Sequence, residues 1–144
     1  MADDDLHEML LDYNRSIVEE FRANEGKCGG GFEGNPMLLL TMTGARSGRR
    51  LTLPLSYTPL DDDFIVFASA GGQPTHPQWY FNLVANPGVE IEVGTESFAA
   101  TATVLEGDER ERAYTAMTTA LPRFGEYQAA VEREIPVIRL RRKG

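Results

Sequence analysis

The strongest constraint on the fold is a series of short β-strand patterns that follow one another with brief turns. The stretch "LTLPLSYT" alternates strictly, which predicts that Leu51, Leu53, Leu55 and Tyr57 point to one face of a strand. The stretches "PMLLLTMT", "FIVFAS", "VEIEVG", "ESFAATATVLEG" and "IPVIRL" have the composition of further strands. Because most of these strands lack a connecting helix, the sequence favours an antiparallel meander or small barrel over a doubly wound parallel sheet.

Helical patterns precede and interrupt these strands. Ile17 and Phe21 belong to an apolar series at helical spacing near the N-terminus, and Gly26 is the expected end of that helix. The glycine-rich stretch "GKCGGGFEGNP" then breaks regular structure. We therefore expect residues 1–35 to form a helix and a flexible linker, and residues 36–144 to form the main domain. The stretches "PQWYFNLVANPG", "DERERAYTAMTTALP" and "RFGEYQAAVERE" predict three later helices, so the predicted class is α+β, a small β-barrel with added helices.

Composition excludes several classes of function. A formal net charge of -8 over 144 residues argues against nucleic-acid binding, which needs a basic face. No apolar run approaches the roughly 20 residues of a membrane span, and the acidic N-terminus differs from a secretory signal, so we expect a cytoplasmic protein. Peripheral contact with a membrane stays open, although the acidic helix disfavours anionic lipid. With Cys28 as its only cysteine and two histidines, the chain predicts no disulfide and no metal site.

The stretch "TGARSGRR", Thr43 to Arg50, is a compact basic loop in this acidic chain. Its two glycines relax the backbone, while Arg46, Arg49 and Arg50 bring positive charge and Ser47 brings a hydroxyl group. Guanidinium groups match phosphate oxygens in a bidentate geometry, so the loop fits a phosphate or phosphodiester. It lacks the lysine pattern of a Walker A loop. On its own, the loop fits an anion site and a solvated hairpin turn about equally well.

A second candidate region is "FASAGGQPTHPQWYFNL". Here a strand ends at Ser69, and glycines that follow permit close approach of a flat ligand to the backbone. Trp79 and Asn82 share a face of a short helix, where an indole suits ring stacking and an amide suits a carbonyl or hydroxyl group. Taken singly, Trp79 as a core residue and Asn82 as a turn cap are the more common roles. His76, which precedes a proline, is interpreted as structural.

Together and in this order, four motifs resemble the deazaflavin-dependent nitroreductase family. The motifs are "LLLTMTGARSGRR…LPLSY", "ASAGGQPTHPQWYFNL", "ANPGVEIEVG" and "GEYQ…IPVIRL", and they cover residues 36–140. The resemblance implies a mostly antiparallel split β-barrel, related to FMN-binding oxidoreductases, with an N-terminal helix and C-terminal helices. It makes residues 36–144 a cofactor-binding domain. The implied cofactor is the deazaflavin coenzyme F420, which carries an anionic phosphodiester and an oligoglutamate tail.

The resemblance also assigns cofactor-binding residues. Family members hold the phosphate with the basic loop that follows the first barrel strand, and they place the ring along a strand end and beside a proline. The implied set is Arg46, Ser47, Arg49, Arg50, Pro54, Ala68, Ser69, Ala70, Trp79 and Asn82. Arg46 and Ser47 match a basic and a hydroxyl position of the family. The best-known members carry an arginine where this chain has Leu51, and the adjacent Arg50 is a candidate to replace it.

The implied substrate side departs from the family pattern. The best-known members place tyrosines near the substrate where this chain has Leu121 and Phe124, and a lysine where it has Ala70. Leu121 and Phe124 are therefore expected to line an apolar acceptor pocket together with Tyr127. Tyr127 is the candidate to donate a proton or position the acceptor, and Ser69 is the candidate to hydrogen-bond the ring.

These implications predict an oxidoreductase. It would use reduced F420 as hydride donor to a lipophilic, electrophilic small molecule such as a quinone, an enone or a nitro compound, with the ring chemistry belonging to the cofactor. Two alternatives stay open: an FMN-binding oxidoreductase of the same fold, and a binding protein that carries F420 or a lipid without catalysis. A homodimer is compatible with the family but is not fixed by the sequence.

Overall fold

An antiparallel β-sheet organises the protein, seen in a computed structural model that describes residues 14–27, 29, 36–69 and 74–143. The strands are β1 (Met37–Thr43), β2 (Arg50–Ser56), β3 (Thr58–Leu60), β4 (Asp63–Phe67), β5 (Gly88–Val93), β6 (Glu96–Val104) and β7 (Val137–Arg142). The helices are α1, described over residues 14–23, α2 (Gln78–Ala85), α3 (Gly107–Ala120) and α4 (Arg123–Ala129). The strand order is β2-β1-β5-β6-β7-β4-β3, and every neighbouring pair is antiparallel.

The connection between β2 and β3 forces this sheet to curl. These two strands lie at opposite ends of the strand order, yet Tyr57 alone separates them in the chain. A flat sheet of this width cannot place its two edges one residue apart, because neighbouring strands are about 4.8 Å apart. Tyr57 is fixed at the junction, where its N–H donates to the Pro36 carbonyl (3.1 Å) and its ring packs edge-on against Phe64 (5.3 Å between centroids). The sheet is therefore a curled half-barrel.

Strand β1 is buried on both of its faces, which explains its continuous apolar sequence. Leu38, Leu40 and Met42 point into the barrel interior, whereas Met37 and Leu39 pack against α1. The helix contributes a separate small core to this second face, formed with Ile17, Val18 and Phe21. A strand covered on both sides has no need for polar alternation. The described part of α1 therefore packs directly on the sheet.

A second core lies on the outer face of β4 and β7. Ile65 and Phe67 of β4 and Val137 of β7 pack there against Met117 of α3 and Phe124 of α4. The intervening residues Val66 and Ala68 point the opposite way, into the barrel interior. The C-terminal helices thus cover the strand that ends at the predicted cofactor site.

The strands and helices agree with the patterns in the sequence, with two corrections. "LTLPLSYT" is divided at Tyr57 into β2 and β3, and the side chain of Leu51 is 39% exposed, because its position on β2 falls outside the barrel core. Gly26 lies in the turn after α1, as expected, and its N–H donates to the Phe21 carbonyl (2.8 Å). Cys28, the first turns of the predicted N-terminal helix and most of the glycine-rich stretch lie outside the described residues. The division at residue 35 stays a prediction.

Candidate cofactor site

The basic loop between β1 and β2 has a well-defined internal structure. The Gly44 N–H donates to the Arg49 carbonyl (2.8 Å), and the Gly48 N–H donates to the Gly44 carbonyl (3.1 Å). The Ser47 Oγ accepts a bond from the Arg49 N–H (3.1 Å). Gly48 adopts a positive φ of 70°, which L-residues with a side chain rarely adopt. The Ser47 oxygen thus supports the loop, while its hydroxyl hydrogen can still be donated outward.

The three arginines of the loop differ in their contacts. Arg50 donates from Nη1 to Thr43 Oγ1 (2.9 Å) and forms an ion pair with Glu90 (3.7 Å). Arg46 and Arg49 are exposed, and within the described ranges no hydrogen bond or ion pair engages their guanidinium groups. Arg46 and Arg49 are therefore the charges that the loop presents outward. The sequence suggests that Arg50 replaces the arginine that the family has at the position of Leu51. In the structure the Arg50 guanidinium already contacts Thr43 and Glu90, so it is less available to a ligand than those of Arg46 and Arg49.

Helix α2 holds this loop in place through Asn82. The Asn82 side chain is 3% exposed, its Oδ1 accepts a bond from the Ala45 N–H (2.9 Å), and its Nδ2 lies 3.8 Å from the sulfur of Met42. Asn86, at the end of the same helix, donates from Nδ2 to the Thr43 carbonyl (3.4 Å). The sequence analysis predicts that Asn82 contacts the cofactor. In the structure its buried amide is directed at the loop backbone, so we infer that Asn82 positions the loop, and its contact with the cofactor stays a prediction.

The other predicted cofactor residues are divided between the two faces of the sheet. Trp79 of α2 is partly buried and packs on the same interior cluster as Ala68 and residues of β2. Pro54 lies on β2 opposite Leu39, where an edge strand tolerates a missing N–H, and it shares with Leu39 the face that α1 covers. Ser69 follows β4 and is buried. The structure therefore brings Trp79 and Ala68 to one cluster and places Pro54 on the opposite face, and Ala70 lies outside the described residues.

An arginine that the sequence analysis did not identify holds the end of β4. Arg133, which precedes β7, donates from Nη2 to the Ser69 carbonyl (2.9 Å) and from Nη1 to the Ala68 carbonyl (3.3 Å). The same Nη1 lies 2.8 Å from His76 Nδ1, just before α2. In the sequence, Arg133 is one charge within the alternating stretch "VERE" and has no local signal. His76 is structural, as interpreted from the sequence.

The contact with Arg133 affects the ionisation of His76. Burial and then the positive charge of Arg133 lower the pKa of His76 below its ordinary value of 6.5. Since an arginine can only donate, Nδ1 of His76 must be the acceptor and the imidazole must be neutral. Burial also lowers the pKa of the Arg133 guanidinium, which nevertheless stays charged because arginine is not deprotonated in proteins.

The structure places the residues of the predicted acceptor pocket in the second core. Phe124 is 7% exposed and packs edge-on between Phe67 (5.5 Å between centroids) and Tyr127 (5.5 Å). Its role in an apolar acceptor pocket stays a prediction. Leu121 and Tyr127 are partly buried at the margin of the same core. Their contact with an acceptor, and the roles of Tyr127 and Ser69 in catalysis, stay predictions.

None of the helices in residues 14–27 and 74–143 has both the length and the hydropathy needed to cross a lipid bilayer. The curled antiparallel sheet and the outward-facing arginines of the loop define a class of protein, a split β-barrel domain with a basic loop between its first two strands.

Comparison with known proteins identifies the family within this class. The chain belongs to the F420H(2)-dependent quinone reductase family, whose sequence model matches residues 13–141. An F420H(2)-dependent quinone reductase of Mycobacterium tuberculosis is 36% identical over 127 residues, which cover 85% of each chain. The resemblance to F420-dependent reductases seen in the sequence is thereby confirmed.

Solved structures support the same relationship. An F420-H2 dependent reductase, FDR-A, is 40% identical with a TM-score of 0.69, covering 73% of this chain and 93% of its own. A second solved relative, described as a domain-swapped dimer, is 37% identical with a TM-score of 0.70, covering 90% of this chain and 97% of its own. The predicted split β-barrel is confirmed by the sheet and by these neighbours.

Proposed function

We propose that this protein is an oxidoreductase that uses reduced coenzyme F420 to reduce a quinone. The observation that carries this proposal is the loop of residues 43–50, which presents Arg46 and Arg49 outward in a chain of the F420H(2)-dependent quinone reductase family. The relatives at 36% and 40% identity bear names that specify the same reduced cofactor. In this acidic chain, the guanidinium groups of Arg46 and Arg49 have no hydrogen bond or ion pair among the described residues, which fits the recognition of an anion by the loop.

The residues of the loop fit the cofactor. F420 carries a phosphodiester, and the Arg46 and Arg49 guanidinium groups supply donors matched to phosphate oxygens. Ser47 adds a hydroxyl donor. Its oxygen accepts the Arg49 N–H, and this bond leaves the hydroxyl hydrogen available to a phosphate oxygen. The loop is held by Asn82 from α2, so its donors are positioned before a ligand arrives. Pre-organisation of this kind reduces the entropy lost on binding.

The remaining residues would orient the reacting groups. When bound, reduced F420 supplies a hydride, and the protein fixes the geometry and the surrounding charge. Trp79 offers an indole face beside the barrel interior, and Ser69 offers a hydroxyl at the end of β4. Tyr127 is the proposed donor of a proton to the reduced acceptor, and Leu121 is the proposed apolar contact for a lipophilic ring.

A cofactor titration tests the proposal. Oxidised F420 is added to the protein, and the fluorescence of Trp79, the only tryptophan, is expected to fall in a saturable manner. Oxidation of reduced F420 is then followed with and without menadione, and the protein is expected to accelerate oxidation only when menadione is present. Saturable binding with no acceleration on a panel of quinones would support a carrier protein instead of an enzyme.

FMN is the alternative cofactor, because it also carries a phosphate that the loop could hold. The names of the relatives support F420. The two cofactors are distinguished by the absorption spectrum of the purified protein and by competition between FMN and F420 for the Trp79 signal. Tight binding of FMN with weak binding of F420 would overturn the assignment of the cofactor.

A second copy of this chain is the proposed partner in solution. The solved relative at 37% identity is described as a domain-swapped dimer and covers 90% of this chain. Light scattering during size-exclusion chromatography is expected to give twice the mass of one chain. A mass of one chain across a range of concentrations would contradict this proposal.

A further inference from the structure

The end of strand β4 requires partners that the sheet does not supply. Beyond Phe67 the ladder with β7 ends, and the last backbone bond there runs from the Ala68 N–H to the Pro136 carbonyl (3.0 Å). Ala68 and Ser69 are both buried, so their carbonyl groups are shielded from water. A buried carbonyl without a donor is costly, by about 1–3 kcal/mol. Arg133 supplies the donors to both carbonyls.

The same guanidinium connects this strand end to α2. Arg133 Nη1 lies 2.8 Å from His76 Nδ1, and the His76 ring packs on Tyr80 of α2 with 4.7 Å between centroids. Trp79 is the neighbour of Tyr80 on that helix. Arg133 thus fixes the strand end that carries Ser69 relative to the helix that carries Trp79. The end of β4, the segment before α2 and the segment before β7 therefore meet at the guanidinium group of Arg133.

We propose that Arg133 is a positioning residue of the cofactor site, acting through the Ala68 and Ser69 carbonyls and through His76. This inference rests on the proposed function, because the residues it orients are the proposed cofactor contacts. A lysine cannot replace the arginine here, since a single ammonium group lacks the planar fork that reaches both carbonyls and the imidazole together. We name this arrangement of Arg133, His76 and the two carbonyls the Arg133 clamp.

The Arg133 clamp is sensitive to pH through His76. Protonation of Nδ1 would remove the acceptor and place a second positive charge beside Arg133. The other charged or titratable groups around His76 are Tyr80, Glu106, Arg110 and Glu134, which line a groove of about 390 Å³ with it. Arg110 and Glu134 form an ion pair with each other (2.8 Å), and Glu106 is a further acidic residue of the same groove.

The sign of the pH effect follows from the lowered pKa of His76. In the unfolded chain the imidazole takes up a proton near pH 6.5, whereas in the folded protein it does so only at lower pH. The contribution of neutral His76 to stability is therefore complete above pH 6.5 and is lost as the pH falls toward the folded pKa. Cofactor affinity depends on the folded protein, so it is expected to weaken only as the pH falls through the lowered pKa of folded His76.

Matched substitutions test the clamp. Arg133→Lys and Arg133→Gln are compared with Arg112→Lys and Arg112→Gln, because Arg112 also uses two nitrogens, but in an exposed ion pair with Asp61. The Arg133 variants are expected to weaken the binding of oxidised F420 and to lower kcat for menadione reduction by about ten- to a hundredfold, since misplacement of about 1 Å has effects of that size. The Arg112 variants are expected to match the parent protein.

Substitutions of His76 provide a second, independent arm. Asparagine keeps an acceptor near the position of Nδ1, so His76→Asn is expected to keep the affinity of the parent protein and to remove its dependence on pH below 6.5. His76→Leu removes the acceptor and is expected to weaken binding severalfold at all pH values. If the Arg133 variants fail to fold, the two His76 variants still test whether the Arg133 clamp affects cofactor binding. Equal affinity of His76→Leu and the parent protein would contradict that role.

The outcomes separate the clamp from the proposed function. Nuclear magnetic resonance titration of His76 needs no cofactor, and Arg133→Gln is expected to raise the His76 pKa toward 6.5 because it removes the adjacent charge. The His76 pKa rises in Arg133→Gln if the Arg133 clamp exists, whether or not F420 binds. If it rises but the parent protein neither binds F420 nor reduces menadione, the proposed function is wrong, and so is the role of the clamp in cofactor positioning. Folded Arg133 variants with parental affinity and kcat overturn the positioning role alone.

Discussion

At the scale of single residues, the loop of residues 43–50 divides its tasks among similar side chains. Arg50 is engaged with Thr43 and Glu90, whereas Arg46 and Arg49 are not engaged within the described parts of the chain. Sequence alone presents three equivalent arginines, because the residue type does not reveal which guanidinium is already bonded. The structure therefore ranks Arg46 and Arg49 above Arg50 as contacts for a phosphate.

Replacement of Arg46 or Arg49 by alanine is expected to weaken F420 binding at least tenfold each. The physical reason is the loss of one charge-assisted hydrogen bond, worth roughly 1.5–3 kcal/mol. The affinity is measured by the Trp79 fluorescence titration. Arg142→Ala is the control, because Arg142 is an exposed arginine on β7 with its own partner, Glu96. Parental affinity of the Arg46 and Arg49 variants would remove the loop from the cofactor site.

At the scale of elements, α2 connects the loop to the rest of the site. Its C-terminal half holds the loop through Asn82 and Asn86, and the segment before it reaches the Arg133 clamp through His76. The eight-residue helix and the residues that flank it thus contact both the loop and the Arg133 clamp. We propose that Asn82 affects a ligand through the loop backbone, whereas Arg46 would contact it directly.

Asn82→Ala is expected to destabilise the protein by about 1–3 kcal/mol and also to weaken F420 binding. The alanine would leave the Ala45 N–H without its acceptor and the loop without its anchor. Urea unfolding measures the stability, and the fluorescence titration measures the affinity. Asn86→Ala serves as the comparison, because the bond from Asn86 to the loop is longer (3.4 Å). This variant is expected to lose less unfolding free energy than Asn82→Ala. Equal stability of the Asn82 variant and the parent would contradict the anchoring role.

Strand β1 offers a test of packing at the same scale. Leu39 is fully buried between β1 and α1, so Leu39→Ala is expected to cost roughly 2–5 kcal/mol of unfolding free energy. Leu51→Ala on β2 is expected to cost less than about 1 kcal/mol, because its side chain is 39% exposed. Urea unfolding at equilibrium compares the two leucines. Similar losses would show that α1 does not cover β1 in solution.

The whole molecule combines local features that the sequence predicts with distant contacts that it does not. The alternation in "VEIEVG" predicts β5, because period-two patterns are local. The division of "LTLPLSYT" at Tyr57 depends on the curl of the sheet, and the contact between Arg133 and Ser69 depends on the pairing of β4 with β7, so both need residues far apart in sequence. The split barrel was inferred from a resemblance, since alternation alone does not give a strand order.

Strand β7 is expected to be indispensable to the whole domain. It pairs with both β6 and β4, so a chain that ends at Pro136 would lose the centre of the sheet. Such a truncation is expected to abolish cooperative unfolding, measured by circular dichroism during urea titration. Removal of Lys143 and Gly144 alone is expected to be tolerated, at the cost of the bond from the Lys143 N–H to the Ala99 carbonyl (3.0 Å). Cooperative unfolding of the chain that ends at Pro136 would show that β7 is dispensable to the sheet.

The position of β7 also has a consequence for synthesis on the ribosome. Strand β7, which joins β4 to β6, follows all the other strands of the described sheet in the chain. Until β7 leaves the exit tunnel, the nascent chain exposes the unpaired edges of β4 and β6. The barrel therefore closes only after β7 has emerged, and until then these two edges can pair with other chains.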